Sequence, residues 1–108
     1  VGYNSKEIPY VAGYNGSILF SEDHGITWIA FKSAHSPLAN NKPFRKIKFY
    51  NETGYIVGDN GTIWKSNDDG KSWSDISINT ELDLFDFVIS ERKLFIASEA
   101  GKIVTVDI

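Results

Sequence analysis

Two stretches of this chain share the pattern Ser-x-Asp-x-Gly-x-(Ser/Thr)-Trp. They are Ser21-Glu22-Asp23-His24-Gly25-Ile26-Thr27-Trp28 and Ser66-Asn67-Asp68-Asp69-Gly70-Lys71-Ser72-Trp73, offset by 45 residues. A short polar turn that ends in tryptophan and recurs at a fixed distance restricts the fold more than any other property of the sequence. Repeats of this length mark solenoids, propellers and arrays. The match runs upstream without a gap, so that Tyr10–Ser21 lies over Tyr55–Ser66, with glycines and the Asn-Gly pair in register. A third copy, Phe95–Val106, follows at an offset of 40. It departs from the pattern at its end, where Val106 replaces the turn serine and Ile108 stands at the aspartate position.

Each unit reads as four strands. In the second unit the first strand is about Phe44–Tyr50, with Ile47 and Phe49 on one face, and the second is the apolar run Gly54–Gly58. Asn60-Gly61 demands positive φ and predicts a tight hairpin turn. Thr62–Lys65 is the third strand, and Ser72–Ile76 follows the polar turn as the fourth. The third unit supplies Leu84–Ile89, Leu94–Ala97 and Lys102–Val106, while the opening strand of the first shrinks to Val1–Asn4. Asn79–Asp86 reads as a connection. The expectation is an all-β chain of about eleven short strands. Four antiparallel strands repeated at this spacing make a β-propeller blade. Blade 1 covers about 1–31, blade 2 about 44–78 and a partial blade 3 about 84–108, or about 2.75 blades. Closed propellers usually have about four to eight. The segment is therefore expected to belong to a longer polypeptide, to a ring of several chains or to an open stack.

Composition agrees and excludes some functions. Aromatic residues make up 14% of the chain, with frequent glycine and only 3 prolines, a mixture that favours short strands and tight turns. The formal charge of −3 supplies no field that draws the chain to nucleic acid or an anionic membrane. The absence of cysteine excludes disulfides, thiolate catalysis and cysteine metal sites. No apolar run approaches the roughly 18 residues of a membrane helix.

The chemistry of the recurring turn is readable. Its aspartate can accept backbone N–H groups of its own turn, and the Ser or Thr hydroxyl can join that network. Gly25 and Gly70 suit a left-handed backbone position, and Trp28 and Trp73 begin the last strand with large surfaces to bury between sheets. Asp23 and Asp68 could pass for catalytic carboxylates. An aspartate that recurs at one place in successive blades is better explained as a builder of the turn, because a catalytic residue need occur only once.

These residues resemble the Asp-box, or BNR repeat. Ser21–Trp28 matches it throughout, and Ser66–Trp73 carries Ser72 for threonine. The longer pattern from Phe49 through Gly54–Ser66 to Asp68, Gly70 and Trp73 is most similar to blades of the photosystem II assembly factor type. The repeat is shared with sialidases, sortilin-type receptors, carbohydrate-binding propellers and phage or surface proteins. The resemblance implies a propeller that acts in binding or scaffolding, outside the cytoplasm: periplasmic, lumenal, secreted or on a virion. Sialidases use an arginine triad, a tyrosine nucleophile with a glutamate partner and an acid/base aspartate. This chain has only Arg45 and Arg92, and Phe44-Arg45-Lys46-Ile47 does not match the sialidase arginine motif. The chain is thus expected to be non-enzymatic, with a non-catalytic piece of a glycosidase or a sugar-binding propeller as alternatives.

Asp-boxes join third and fourth strands, which sends the search for a binding site to the other end of each blade. That end holds the stretch Lys32–Pro43, with His35, Asn40, Asn41 and Lys42, and the turns Tyr14-Asn15, Asp59-Asn60 and Glu99-Ala100. Lys42, Arg45, Lys46 and Lys48 form a small basic cluster leading into the innermost strand, offset by Asp86 at the position equivalent to Lys46. Trp64 is a further candidate because its counterparts, Leu19 and Val104, show that a core does not require tryptophan there. His24 and His35 lack partners at metal-ligand spacing, and Asn67-Asp68-Asp69 lacks the calcium-loop pattern, so no metal or cofactor is expected. Partners are expected to be protein, further blades or copies of the chain, with carbohydrate as an alternative. Asn15, Asn51 and Asn60 match the glycosylation pattern, but turn geometry already accounts for Asn15 and Asn60.

Overall fold

The structure, a computed structural model, describes residues 1–13, 17–31 and 43–108. These residues form three antiparallel sheets of short strands. The first sheet contains β1 (Gly2–Tyr3), β2 (Pro9–Ala12), β3 (Ile18–Phe20) and β4 (Ile29–Ala30), hydrogen-bonded in that order. The second contains β5 (Phe44–Tyr50), β6 (Thr53–Gly58), β7 (Ile63–Ser66) and β8 (Ser74–Asp75). The third contains β9 (Leu84–Ser90), β10 (Lys93–Ser98) and β11 (Ile103–Asp107). Each sheet is one blade, and strand number and order follow the repeat. The fourth strands are shorter than Ser72–Ile76 implies, because Ser72 and Trp73 are held in the polar turn.

The blades are built alike. Tyr55 pairs with Lys48 and Lys65 in blade 2, as Phe95 pairs with Val88 and Thr105 in blade 3. Both inner strands carry a bulge beside their start, at Arg45 in β5 and at Phe85 in β9. The second-to-third strand turns are single 3-10 turns, Asp59–Gly61 and Glu99–Gly101. Asn60 and Gly61 have φ of 53° and 72°, the left-handed geometry that Asn-Gly predicts.

Two apolar cores lie between the blades. Tyr10 and Ile18 of blade 1 pack on Phe44, Ile47, Ile56 and Trp64 of blade 2. Tyr55, Val57 and Ile63, on the other face of blade 2, pack on Leu84, Phe87, Leu94 and Ile96 of blade 3. Alternation along each strand explains the arrangement: Ile56 points to one core and its neighbours Tyr55 and Val57 to the other. A central blade is buried on both faces, as the stacking of repeats requires.

Candidate functional site

The two polar turns are nearly superposable networks. In the second, the Ser66 hydroxyl donates to Asp68 Oδ1 at 2.8 Å and accepts the Gly70 N–H at 2.9 Å. Asp68 Oδ1 also accepts the Ser72 N–H at 2.8 Å, and the Ser72 hydroxyl donates to Oδ2. The Trp73 indole N–H closes the turn on the Gly70 carbonyl at 3.1 Å. In the first, Ser21, Asp23, Gly25, Thr27 and Trp28 make the same bonds in the same order.

These bonds hold the carboxylates ionised. Donation from the Thr27 hydroxyl and N–H, aided by Ser21, lowers the Asp23 pKa to about 2. Partial burial pushes the Asp68 carboxyl up, but donors on Ser72 and Ser66 outweigh it and the net shift is down. A general acid needs the opposite shift. The tryptophans differ. Trp73 is half-buried beside Phe49, with ring centroids 5.9 Å apart, whereas Trp28 remains 42% exposed with no blade against it among the described residues.

A second role of this turn is absent from its pattern. Asp69, held at a φ of 64°, reaches across to blade 1. Its carboxylate accepts the Ser5 N–H at 2.8 Å and the Ser5 hydroxyl at 2.7 Å, and its carbonyl accepts the Asn4 side-chain amide at 3.1 Å. Asn4 in turn orders its own loop by accepting the Lys6 and Ile8 N–H groups. Asp69 occupies a variable position of the repeat, His24 in the first copy, and only the structure shows that this position latches adjacent blades.

At the opposite end, the basic cluster is largely spent on neighbours. Arg45, on the β5 bulge, pairs with Asp59 and lies within 4.0 Å of Asp83, while its guanidinium stacks 5.0 Å from the Phe85 ring centroid. Asp83 also accepts the Asn60 N–H at 3.1 Å, and its own N–H donates to Glu99. Lys48 spans blades 2 and 3, donating to the Phe87 carbonyl at 2.7 Å and pairing with Asp86 at 2.8 Å. Burial raises the Asp86 pKa, but the Lys48 bond, the Phe87 N–H and the nearby charge of Lys46 leave it lowered. Of the cluster, Arg45 and Lys48 thus form a salt-bridged blade junction. Trp64 is 3% exposed and packs edge-on against Phe44, 6.4 Å between centroids, which leaves almost no ring surface for a sugar. His35, Asn40, Asn41 and Lys42, with Tyr14-Asn15, lie outside the described residues. Among the described residues no three metal-ligating side chains converge, and no helix is long and apolar enough to cross a membrane.

Stacked four-stranded blades joined by Ser-Asp-Gly-(Ser/Thr)-Trp turns define an Asp-box propeller segment. The chain belongs to the family of the photosynthesis system II assembly factor YCF48, whose model matches residues 1–92. Neither curated proteins nor solved structures give a significant match.

Proposed function

We propose that the chain is a non-enzymatic binding module that serves the assembly of a larger protein complex outside the cytoplasm. The family, an assembly factor by its description, supports this role. The observation that carries the reading is the way the box carboxylates are used: Asp23 and Asp68 are each held by three donors of their own turns, with lowered pKa values. They build turns. Binding then falls to the opposite end of the blades, where Arg45 and Phe85 stack beside Asp59 and Asp83. Arginine and aromatic side chains are enriched where interfaces concentrate binding energy.

Crosslinking the tagged chain in its native extract, with linkages mapped by mass spectrometry, tests the reading. Partner linkages are expected at Lys46 and other lysines of that end, and Phe85→Ala together with Arg45→Ala is expected to reduce them at least tenfold. Turnover of a fluorogenic glycoside that is lost on Asp68→Asn would overturn it.

A further inference from the structure

The junction of blades 1 and 2 leaves a cleft of about 360 Å³ at the end that carries the polar turns. Clefts from about 300 Å³ upward accept small ligands. Blade 1 supplies Lys6 and Ile8 from the β1–β2 loop, Tyr10 and Phe20 from β2 and β3, and Glu22 from the first box. Blade 2 supplies Lys71 from the second box. Tyr10 and Phe20, stacked with ring centroids 5.4 Å apart, give the cleft an apolar side together with Ile8.

The walls are preformed. Asn4 accepts the Lys6 and Ile8 N–H groups at 3.0 and 2.9 Å, which fixes the β1–β2 loop, and Ser5 ties that loop to Asp69. The Lys71 N–H donates to the Asp68 carbonyl of its own turn. A site ordered before binding loses less entropy when it is filled. The walls also depart from the repeat. Five residues, 4–8, lie between the paired Tyr3 and Pro9, whereas four, 50–53, lie between Phe49 and Gly54 and four, 90–93, between Ile89 and Leu94. Glu22 and Lys71 stand at variable box positions, occupied by Asn67 and Ile26 in the other copy.

The charges of this cleft are unspent. Among the described residues the side chains of Lys6, Lys71 and Glu22 enter no ion pair and no hydrogen bond, in contrast to Arg45 and Lys48 at the next junction. The Asp69 carboxylate, which also lines the cleft, is already held by Ser5. The Tyr10 hydroxyl donates only at 3.5 Å, to the Asp69 carbonyl, at the outer limit of a hydrogen bond. Two ammonium groups call for an anion. Glu22 on the same cleft opposes a simple anion and calls for a cation beside it, and the apolar side calls for a hydrocarbon or aromatic group.

We propose that the cleft between blades 1 and 2 binds a small zwitterion with an apolar side chain, an apolar α-amino acid or a dipeptide of such residues. Its carboxylate meets Lys6 and Lys71, its ammonium meets Glu22, and its side chain rests on Ile8, Tyr10 and Phe20. A ligand held from both walls fastens blade 1 to blade 2, so its binding also stabilises the fold by mass action. This site lies at the opposite end of the blades from the proposed partner contact and is independent of it.

Heteronuclear NMR titration of the chain with L-leucine and with the dipeptide Leu-Leu tests the assignment. Saturable shifts are expected at the backbone amides of Lys6, Gly70 and Lys71, and none at Gly101 in the turn at the other end. N-acetyl-leucine lacks the ammonium and leucine amide lacks the carboxylate, so each is expected to bind about tenfold more weakly. Lys6→Ala combined with Lys71→Ala is expected to weaken leucine by a similar factor. Glu22→Gln is expected to erase the preference for leucine over N-acetyl-leucine, and Lys102→Ala to change nothing. All four side chains are exposed, and circular dichroism confirms that each variant is folded. Tighter binding of the dipeptide assigns the site to peptides and tighter binding of leucine assigns it to free amino acids; both sustain the proposal. Absence of saturable shifts with both probes overturns it. So does equal binding of leucine and N-acetyl-leucine to the wild-type chain, which denotes a site for anions only.

Discussion

Gly25 and Gly70 occupy the same place in the two boxes, with φ of +88° and +93°, yet replacing them with alanine should have very different costs. A β-carbon in a left-handed conformation costs roughly 1–2 kcal/mol, and that penalty is common to both. The surroundings are not. A β-carbon at Gly25 meets nothing closer than the Trp28 ring at 3.8 Å, an ordinary contact. At Gly70 it falls 2.6 Å from Tyr10 Cζ and 2.7 Å from its hydroxyl oxygen, closer than carbon atoms approach. Tyr10 cannot swing aside, because it is buried between Phe20 and Phe49 with ring centroids at 5.4 and 5.1 Å. Overpacking of this kind adds about 1–3 kcal/mol. Gly70→Ala is therefore expected to cost about 2–5 kcal/mol and Gly25→Ala about 1–2. With a urea m-value near the lower end of the usual range, about 1–1.5 kcal/mol/M, the extra cost of about 1–3 kcal/mol should separate the two unfolding midpoints by roughly 0.7–3 M. Tryptophan fluorescence and circular dichroism together would check that each transition is two-state. Shortening the obstacle in a Gly70→Ala, Tyr10→Leu double variant should recover part of the loss relative to the sum of the single changes. Equal midpoints for the two alanine variants would refute the reasoning, since they would show that blade 1 is not seated tightly on the second box.

The box carboxylates predict a specific acid response. The Asp23 carboxyl ionises at about 2 in the folded chain, below the usual value near 4, so its contribution to stability is complete above about pH 4 and is lost as pH falls through about 2. An NMR titration of the Asp23 carboxyl checks this, and a midpoint near 4 would show that the Thr27 donors do not hold it. Lys48→Met removes the ammonium from both the Phe87 carbonyl and Asp86, and is expected to cost about 1–3 kcal/mol. In the same titration the Asp86 midpoint should rise while that of Asp23 stays fixed; an unmoved Asp86 would count against Lys48 as its main donor.

The architecture was legible because it is written several times over. Period, Asn-Gly turns and alternating apolar residues each point to four-stranded blades, and strand positions agree with the structure to within a few residues. The fourth strands were the weakest reading, because Ser72 and Trp73 look like strand residues while their backbone is committed to the turn. The burial of Trp64 is not legible for a related reason. Leu19 and Val104 show that the position tolerates smaller residues, but tolerance in two copies does not empty the site in a third, and Phe44 supplies a partner that a tryptophan fills. Contacts between blades were the least legible. Nothing in the pattern around Asp69 points to Asn4 and Ser5, which lie 65 and 64 positions away along the chain. The offset of blade 3 aligns Asp86 with Lys46, whereas in the structure it is Lys48 that pairs with Asp86.

The same difference between copies explains why the box carries fold and not chemistry. Its invariant members, Ser66, Asp68, Gly70, Ser72 and Trp73, bond almost wholly to one another, so they can be repeated in any blade without regard to neighbours. Its variable members are where the copies diverge: Asp69 binds a loop of blade 1, while His24 holds the matching position in the first box. The contacts that distinguish one blade from another reside in those variable positions, because the hydrogen bonds of the invariant residues are made within their own turn. The order of the described blades is thus encoded by the residues that the repeat pattern leaves blank.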